Sequence, residues 1–477
     1  MKIRQETMKK NIVSSYMAGV KDSEHGQGFG DITRYFIPEF ISAVILYSVP
    51  LLIDARWIAH LQSTSAYATL GITNTLLHSI IKIAEGISVG TIIMTGQLNG
   101  VGHFKRAGNA LINSFWTTVL TGGCVASLLF LGASRIYVWY GVPAEMVVLG
   151  VPFLRIRAIG IFFTFVYFAF IGFLRGIKDT ETPMNIFILG SIVFLFFDYA
   201  LIFGAFGFPA MGLLGSAIAS VAQYSFMTMA ALFYVIKSDM LKKYEINLFS
   251  AFASWDRAKE LFSVSWPVMI DKAALSCSYV WLGYCLAPMG TCALASFSVV
   301  KDLERFALLP AIAFAQVITF LVSNYYGKQE WDSIKSTIKK IVFMSSIGVF
   351  IILFCCSLWP TSIIQIFDFK GEFTSFAAKA FPIISVLAFF DVLQLILAGA
   401  LRGAANVRVV MWTRLIVCGL IFAPMAYGFS CLNTQNTVLK FILVYSSLYV
   451  CNAFMSLIYI KRFRQEAWKQ KAVKGIG

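Results

Sequence analysis

Twelve long apolar runs divide this chain, separated by short polar stretches. A helix needs roughly 20 apolar residues to cross the hydrocarbon of a bilayer, so runs of this length predict membrane spans. They lie at 35–53, 66–95, 108–132, 147–171, 184–204, 211–236, 261–287, 293–322, 338–359, 375–401, 409–430 and 437–460 (spans 1 to 12). The polar stretches between them set the expected organisation. A tail covers 1–34, spans 1–6 cover 35–236, a linker covers 237–260, spans 7–12 cover 261–460, and a basic tail covers 461–477. The expected fold class is all-α: a polytopic membrane protein with 12 transmembrane helices in two pseudo-symmetric six-helix lobes.

The positive charges orient the helices. Of 39 Lys and Arg residues, 27 fall in the two tails, the linker and the other even-numbered loops, whereas the odd-numbered loops hold only Arg56, Arg135 and Lys370. By the positive-inside rule both termini are cytoplasmic. The halves also repeat. Gly172-Phe173-Leu174-Arg175-Gly176 returns as Gly399-Ala400-Leu401-Arg402-Gly403, 227 residues later. At the same offset Asn99-Gly100 before Phe104 matches Tyr326-Gly327 before Trp331, and Ala68 matches Ala295. Three coincident anchors indicate a duplicated unit. Six spans in each half give the repeats one orientation, as in transporters with parallel repeats.

Composition agrees. The chain is 58% hydrophobic, has a mean hydropathy of +0.76, and is only 13% charged, about half the soluble norm. The net charge of +15 therefore points to a membrane surface and not to nucleic acid. The first 34 residues are polar and basic without a signal-peptide core, which makes a cytoplasmic tail the expectation. Nine cysteines lie mostly in apolar runs with no CxxC spacing, so packing is the plain reading. Pro38, Pro152, Pro183, Pro209, Pro267, Pro310 and Pro382 sit at or inside the predicted helices, where proline permits bends. Gly86, Gly90 and Gly96 give span 2 a small-residue face.

These motifs add up to a resemblance. Ile53-Asp54, Gly96-Gln97-Leu98-Asn99-Gly100, Leu174-Arg175-Gly176 with Asp179-Thr180 and Pro183, and Pro209 through Ala219 stand in the first half. Leu286 through Thr291, Asp391-Val392-Leu393-Gln394 and Leu401-Arg402-Gly403 follow in the second. In order and spacing the chain resembles the multidrug and toxic compound extrusion (MATE) family, most closely its NorM-like branch. The resemblance implies two lobes, a central cleft, and export of organic cations by alternating access against a proton or sodium gradient.

Ionisable residues at membrane depth cost about 2.5–3.5 kcal/mol each at a helix centre on the insertion scale, so each is a candidate site. Asp391 stands in an apolar stretch with no basic neighbour in its own helix, which suits proton uptake or cation coordination. The resemblance places the matching aspartate in a cation site whose partner carboxylate would fall at Leu275; Asp271, one turn earlier, is the substitute, with Lys272 beside it as a neutraliser. In the first lobe the resemblance assigns cation coupling to Asp54 and Asp198, with Ser220 as hydroxyl and Phe194 where an asparagine is usual. A proton site tolerates that loss better than a sodium site, which needs several oxygens.

Asn74, His78, Lys82 and Glu85 step by 4, 4 and 3 along one helical face. At the 227-residue offset Asn74 and His78 map to Lys301 and Arg305, beside Asp302 and Glu304. Asn74, His78, Lys82, Glu85, Lys301, Asp302, Arg305 and Gln394 form the expected substrate-cleft set. Either these charges accept a zwitterionic or anionic substrate, or they neutralise one another as Lys82–Glu85 and as Lys301–Glu304 or Arg305–Asp302. Arg175 and Arg402, ending spans 4 and 10, are expected to meet helix C-terminal carbonyls and anionic headgroups. The aromatic residues of span 4 cover every side of it.

No phosphate loop, HExxH or GxSxG is present, which excludes ATP drive from this chain and disfavours a membrane hydrolase. The expectation is therefore a secondary antiporter, not an enzyme. It needs no cofactor beyond its coupling ion and no structural metal, and it works as a monomer in a bacterial inner membrane. The alternatives are a flippase of lipid-linked saccharides, an exporter of zwitterionic or anionic metabolites, and a gated channel or receptor.

Overall fold

The computed structural model describes residues 14, 16–22, 24–47, 49–61, 63–247, 255–365, 367–368 and 371–469. Lys370, the first part of the N-terminal tail, the middle of the linker and the end of the basic tail lie outside them. Helices account for nearly all the described residues, and no strand occurs among these.

Each of the twelve predicted spans is helical. Ten helices are long and apolar enough to cross a membrane among the described residues. Spans 1 and 7 are not among these ten. Span 1 is described as Phe29–Tyr47 and Val49–His60, on either side of residue 48, which lies outside the described residues. Span 7, Trp255–Leu286, carries Asp256, Lys259, Glu260, Asp271 and Lys272 along its length.

Most helices outrun their apolar runs. Span 2 extends over Thr64–Val101, where Ser63 caps the start by accepting from the Ala66 N–H at 3.2 Å. Gly102 ends it at φ +85°, a left-handed geometry that suits glycine. Span 8 is not one helix but two, Thr291–Ala307 and Leu309–Lys328. The break falls where Pro310 has no N–H to continue the ladder. Span 11 carries a π-helical turn, Cys418–Phe422, between Val407–Val417 and Ala423–Ser430. Pro424 follows at once, and the wider turn makes room for its ring.

By Cα proximity the chain divides into two compact units. One is Ile41–Met269, here the N-unit; the other joins Met1–Phe40 to Ile270–Gly477, here the C-unit. The division runs through spans 1 and 7 and not through the linker.

Within the N-unit, span 4 (Ala144–Gly176) seats on span 2 through glycines. A Cβ on Gly172 would lie 2.7 Å from the Ser88 carbonyl oxygen, and one on Gly176 would lie 2.8 Å from Thr95 Cβ. In the C-unit, span 10 (Thr374–Gly403) seats on span 8 in the same way. Gly399 approaches the Ala315 oxygen and Gly403 the Thr319 oxygen. Ser88 and Ala315 are themselves 227 residues apart, so the G-x-L-R-G repeat encodes one packing contact made twice. Span 2 also packs tightly on span 7, where Gly86 faces Met269 and Gly90 faces Ser265.

Each unit carries an aromatic anchor beyond its sixth span. In the N-unit, Tyr244 of the short helix Met240–Tyr244 donates to Asn99 Oδ1 at 2.9 Å and packs edge-on against Phe104 and Phe173. In the C-unit, Trp468 is fully buried against Trp331 and Tyr326. Its carbonyl accepts from Asn406 Nδ2 at 2.9 Å. Lys335 and Lys469 hold the neighbouring Glu466 carboxylate down to about 2 by hydrogen bonding and charge. The described part of the N-terminal tail lies along the start of span 9 (Trp331–Leu358), where Lys340 Nζ donates to the carbonyls of His25 and Gln27 at 3.2 and 3.1 Å.

Candidate functional site

Among the described residues, buried carboxylates gather around Asp54 in the N-unit and around Asp391 and Asp271 in the C-unit. In the N-unit, Asp54 sits in the second half of span 1 and is 2% exposed. Its Oδ1 accepts from Ser216 Oγ at 2.8 Å. Ser216 and Ser220 lie one turn apart on span 6 (Leu213–Lys237) and so share a face. Ser220 does not reach Asp54. Its hydroxyl donates to the Ser216 carbonyl at 3.1 Å and accepts from Arg157 Nη1. The other Arg157 nitrogen, Nη2, donates to Asn74 Oδ1 at 3.2 Å.

Asp198, on span 5 (Glu181–Phe203), is fully buried, and neither of its carboxylate oxygens has a hydrogen-bond partner. It lies within electrostatic reach of Asp54 and Arg157 and beside Ser216, whose hydroxyl binds Asp54. An ionised carboxylate buried without hydrogen bonds is costly unless a positive charge offsets it, and Arg157 is a cation within reach. Phe194, one turn earlier, is buried and contributes no oxygen.

In the C-unit, Asp391 Oδ1 accepts from Asn452 Nδ2 of span 12 (Thr437–Arg464) at 3.2 Å. Its carboxylate partner is Glu304, within electrostatic reach of it and 5% exposed, at the end of the first half of span 8. Tyr445 donates to Glu304 Oε2 at 2.5 Å and Tyr449 donates to Oε1. These tyrosines are also one turn apart and buried. Gln394, one turn after Asp391, is buried with its Nε2 lacking a hydrogen-bond partner.

Asp271 has a different occupation. Arg402 Nη2 binds its Oδ2 and Arg414 Nε binds its Oδ1, each at 2.5 Å. Both carboxylate oxygens are thus engaged by guanidinium groups from spans 10 and 11. Lys272 is not the neutraliser of Asp271 that the sequence suggested. Nor is Arg402 simply a residue of helix-end carbonyls and headgroups; its side chain is 12% exposed and salt-bridged.

The polar face of span 2 separates into two parts. Asn74 joins the Arg157 cluster, while Lys82 Nζ binds Glu85 Oε1 at 2.8 Å, as the pairing alternative expected. His78 is half-buried between them. In span 8 the expected Lys301–Glu304 pair does not form, because Glu304 faces the two tyrosines. Lys301 Nζ instead lies 5.4 Å from the Phe297 ring centroid, a cation–π distance. Asp302 and Arg305 are exposed.

Sequence reasoning missed Arg157, Ser216, Arg414, Tyr445, Tyr449 and Asn452. Arg157 and Arg414 were detectable by the rule that singled out Asp391, a charge inside an apolar run. The tyrosines and the serine carry no such signal.

Paired membrane-length bundles with buried charge clusters define a polytopic membrane transporter. The comparisons make the assignment specific: the MatE family model matches twice, over residues 40–200 and 267–428, and this chain belongs to that family of transporters. The two matches begin 227 residues apart, the offset of the repeat. "Probable multidrug resistance protein NorM" of Thermotoga maritima is 25% identical over 88% of this chain and 89% of its own length. "Probable multidrug resistance protein YoeA" of Bacillus subtilis is 24% identical over 93% and 94%. The fold matches a solved "MATE in the bent conformation" with a TM-score of 0.82 and 19% identity, over 92% of this chain and 96% of that one. An "outward-facing conformation of a multidrug resistance MATE family transporter" matches equally well, at 0.82 and 18% identity.

Proposed function

We propose that this protein is a cation-coupled secondary antiporter that exports small organic molecules; its relatives are named as probable multidrug resistance proteins. The observation that carries this reading is Asp198, buried with both oxygens unpartnered. A carboxylate in that setting is costly unless a positive charge offsets it, and a proton or cation bound there leaves when the surroundings change. That is the property coupled exchange requires, because an ion with equal affinity for both states drives nothing. Asp54 joins Asp198 in this role. Asp391 and Glu304 form a second candidate pair. Asp271, held by two guanidinium groups, serves the fold instead. The reading places the protein in a plasma membrane with both termini cytoplasmic, acting as a monomer.

Inside-out vesicles and a fluorescent organic cation test this reading. Uptake under an imposed ion gradient is expected for the wild type and is lost in Asp198→Asn and reduced in Asp391→Asn. Gradient-independent uptake in all three would refute coupling. A second reading, a substrate with an anionic group, is favoured by Lys301, whose ammonium rests on an aromatic ring and not on Glu304. Competition by zwitterionic or anionic compounds that is lost in Lys301→Ala would support it.

A further inference from the structure

Ion coupling through aspartates does not by itself call for an arginine, yet Arg157 stands at the N-unit carboxylates. We propose that Arg157 is the residue that restricts this site to protons, by occupying the oxygens that a sodium ion would need. The proposal deepens the antiport reading and rests on it.

Hard metal cations are bound by shells of about six oxygen ligands, whereas a proton needs one oxygen. The neutral oxygens near Asp54 and Asp198 are few, and Arg157 holds two of them. Its Nη1 binds Ser220 Oγ and its Nη2 binds Asn74 Oδ1. Ser216 Oγ is turned to Asp54, and the position one turn before Asp198 is Phe194. What remains is carboxylate oxygen alone, beside a fixed guanidinium that repels a second cation in a medium of low dielectric.

The groups facing this point are few on every packed helix. Span 1 gives Asp54, span 2 gives Asn74 with His78 one turn further, and span 4 gives Arg157. Span 5 gives Asp198, and span 6 gives Ser216, Ser220 and Tyr224, the last within electrostatic reach of Arg157. Lys82 and Glu85 pair with each other. Two carboxylates against one guanidinium leave one negative charge, which a single proton on the carboxylate pair neutralises without any further ligand.

In the C-unit, Arg402 and Arg414 take both oxygens of Asp271, the carboxylate that sequence reasoning offered for a cation site, which leaves it none for a cation.

Removing Arg157 therefore does two things at once. It frees Asn74 Oδ1 and Ser220 Oγ, and it leaves the aspartates with a net charge of −2. Both changes create a sodium site. The test uses the full chain in liposomes, with ethidium as the transported probe and imposed proton or sodium gradients. Wild type is expected to respond to the proton gradient and not to sodium. Arg157→Ala is expected to gain at least a tenfold stimulation by sodium, and Arg157→Lys, which keeps the charge, is expected to stay insensitive to it. Sodium-driven flux in the wild type, or a folded Arg157→Ala that ignores sodium, overturns the proposal while leaving antiport intact. Flux under neither gradient in the wild type overturns the antiport reading and this proposal with it. Calorimetric titration of sodium into the purified protein decides the matter if Arg157→Ala does not fold. No binding is expected for wild type, and binding that disappears in Asp198→Asn overturns the proposal.

Discussion

Asp198 and Asp271 are both buried aspartates, and they have opposite fates. Asp198 has no hydrogen-bond partner, so Asp198→Asn removes a charge that the fold does not use; the variant is expected to melt no lower than wild type while losing coupling. Asp271→Ala strands two guanidinium groups, and breaking a buried pair in this way is expected to cost about 3–5 kcal/mol in a reversible unfolding measurement. Asp368 makes a third case, outside the spans. Burial raises its carboxylate, but the Thr374 hydroxyl and the N–H groups of Phe373, Thr374 and Glu372 outweigh that and hold it below the usual range. A depressed carboxylate stabilises above its unfolded value of about 3.9 and loses that contribution as pH falls through the folded one. Asp368→Asn is therefore expected to lower the melting temperature at pH 7 and to flatten its decline in acid. The sequence singled out Asp391 because a charge in an apolar run is visible by itself, and the family resemblance singled out Asp54 and Asp198. Their partners were not legible. Helical spacing reports only neighbours on the same helix, whereas Arg157 and Asn74 are 83 residues apart and Glu304 and Tyr445 are 141 apart.

Helices meet here through glycines that the repeat had already marked. A methyl on Gly403 would fall 2.5 Å from the Thr319 carbonyl oxygen, which is backbone and has little freedom to yield. Gly403→Ala is expected to destabilise by about 1–3 kcal/mol, the usual range for overpacking. Gly71, also helical, has open space around its Cβ direction. Gly71→Ala is expected to be stabilising by about 0.5–1 kcal/mol through helix propensity alone. Unfolding of both variants in the same detergent gives the comparison. The spans themselves were legible because the length of an apolar run is set by bilayer thickness. Their ends were not, since helices continue into polar sequence, as Thr64–Val101 does beyond 66–95. The break in span 8 was present in the sequence as Pro310 but could not be told from a proline that merely bends a helix.

Taken as a whole molecule, the protein is one unit made twice, and the copies differ where their chemistry differs. Arg402 ends the second motif in an ion pair with Asp271, while the guanidinium at the N-unit carboxylates, Arg157, comes from the middle of span 4. The packing glycines and the aromatic anchors, in contrast, are kept in both. Trp468→Ala is expected to cost about 3–5 kcal/mol, because it empties a fully buried indole site between Trp331 and Phe463. Limited proteolysis in the variant should then cut after residue 464 first. The anchors also bear on ancestry. Tyr244 docks at Asn99 and Phe104, and Trp468 docks at Tyr326 and Trp331, which are the same two positions of the repeat. What was copied was thus six helices together with the tail that fastens behind them. The stretch joining the halves is thus fastened to the first bundle at the same two positions of the repeat to which the segment after span 12 is fastened on the second.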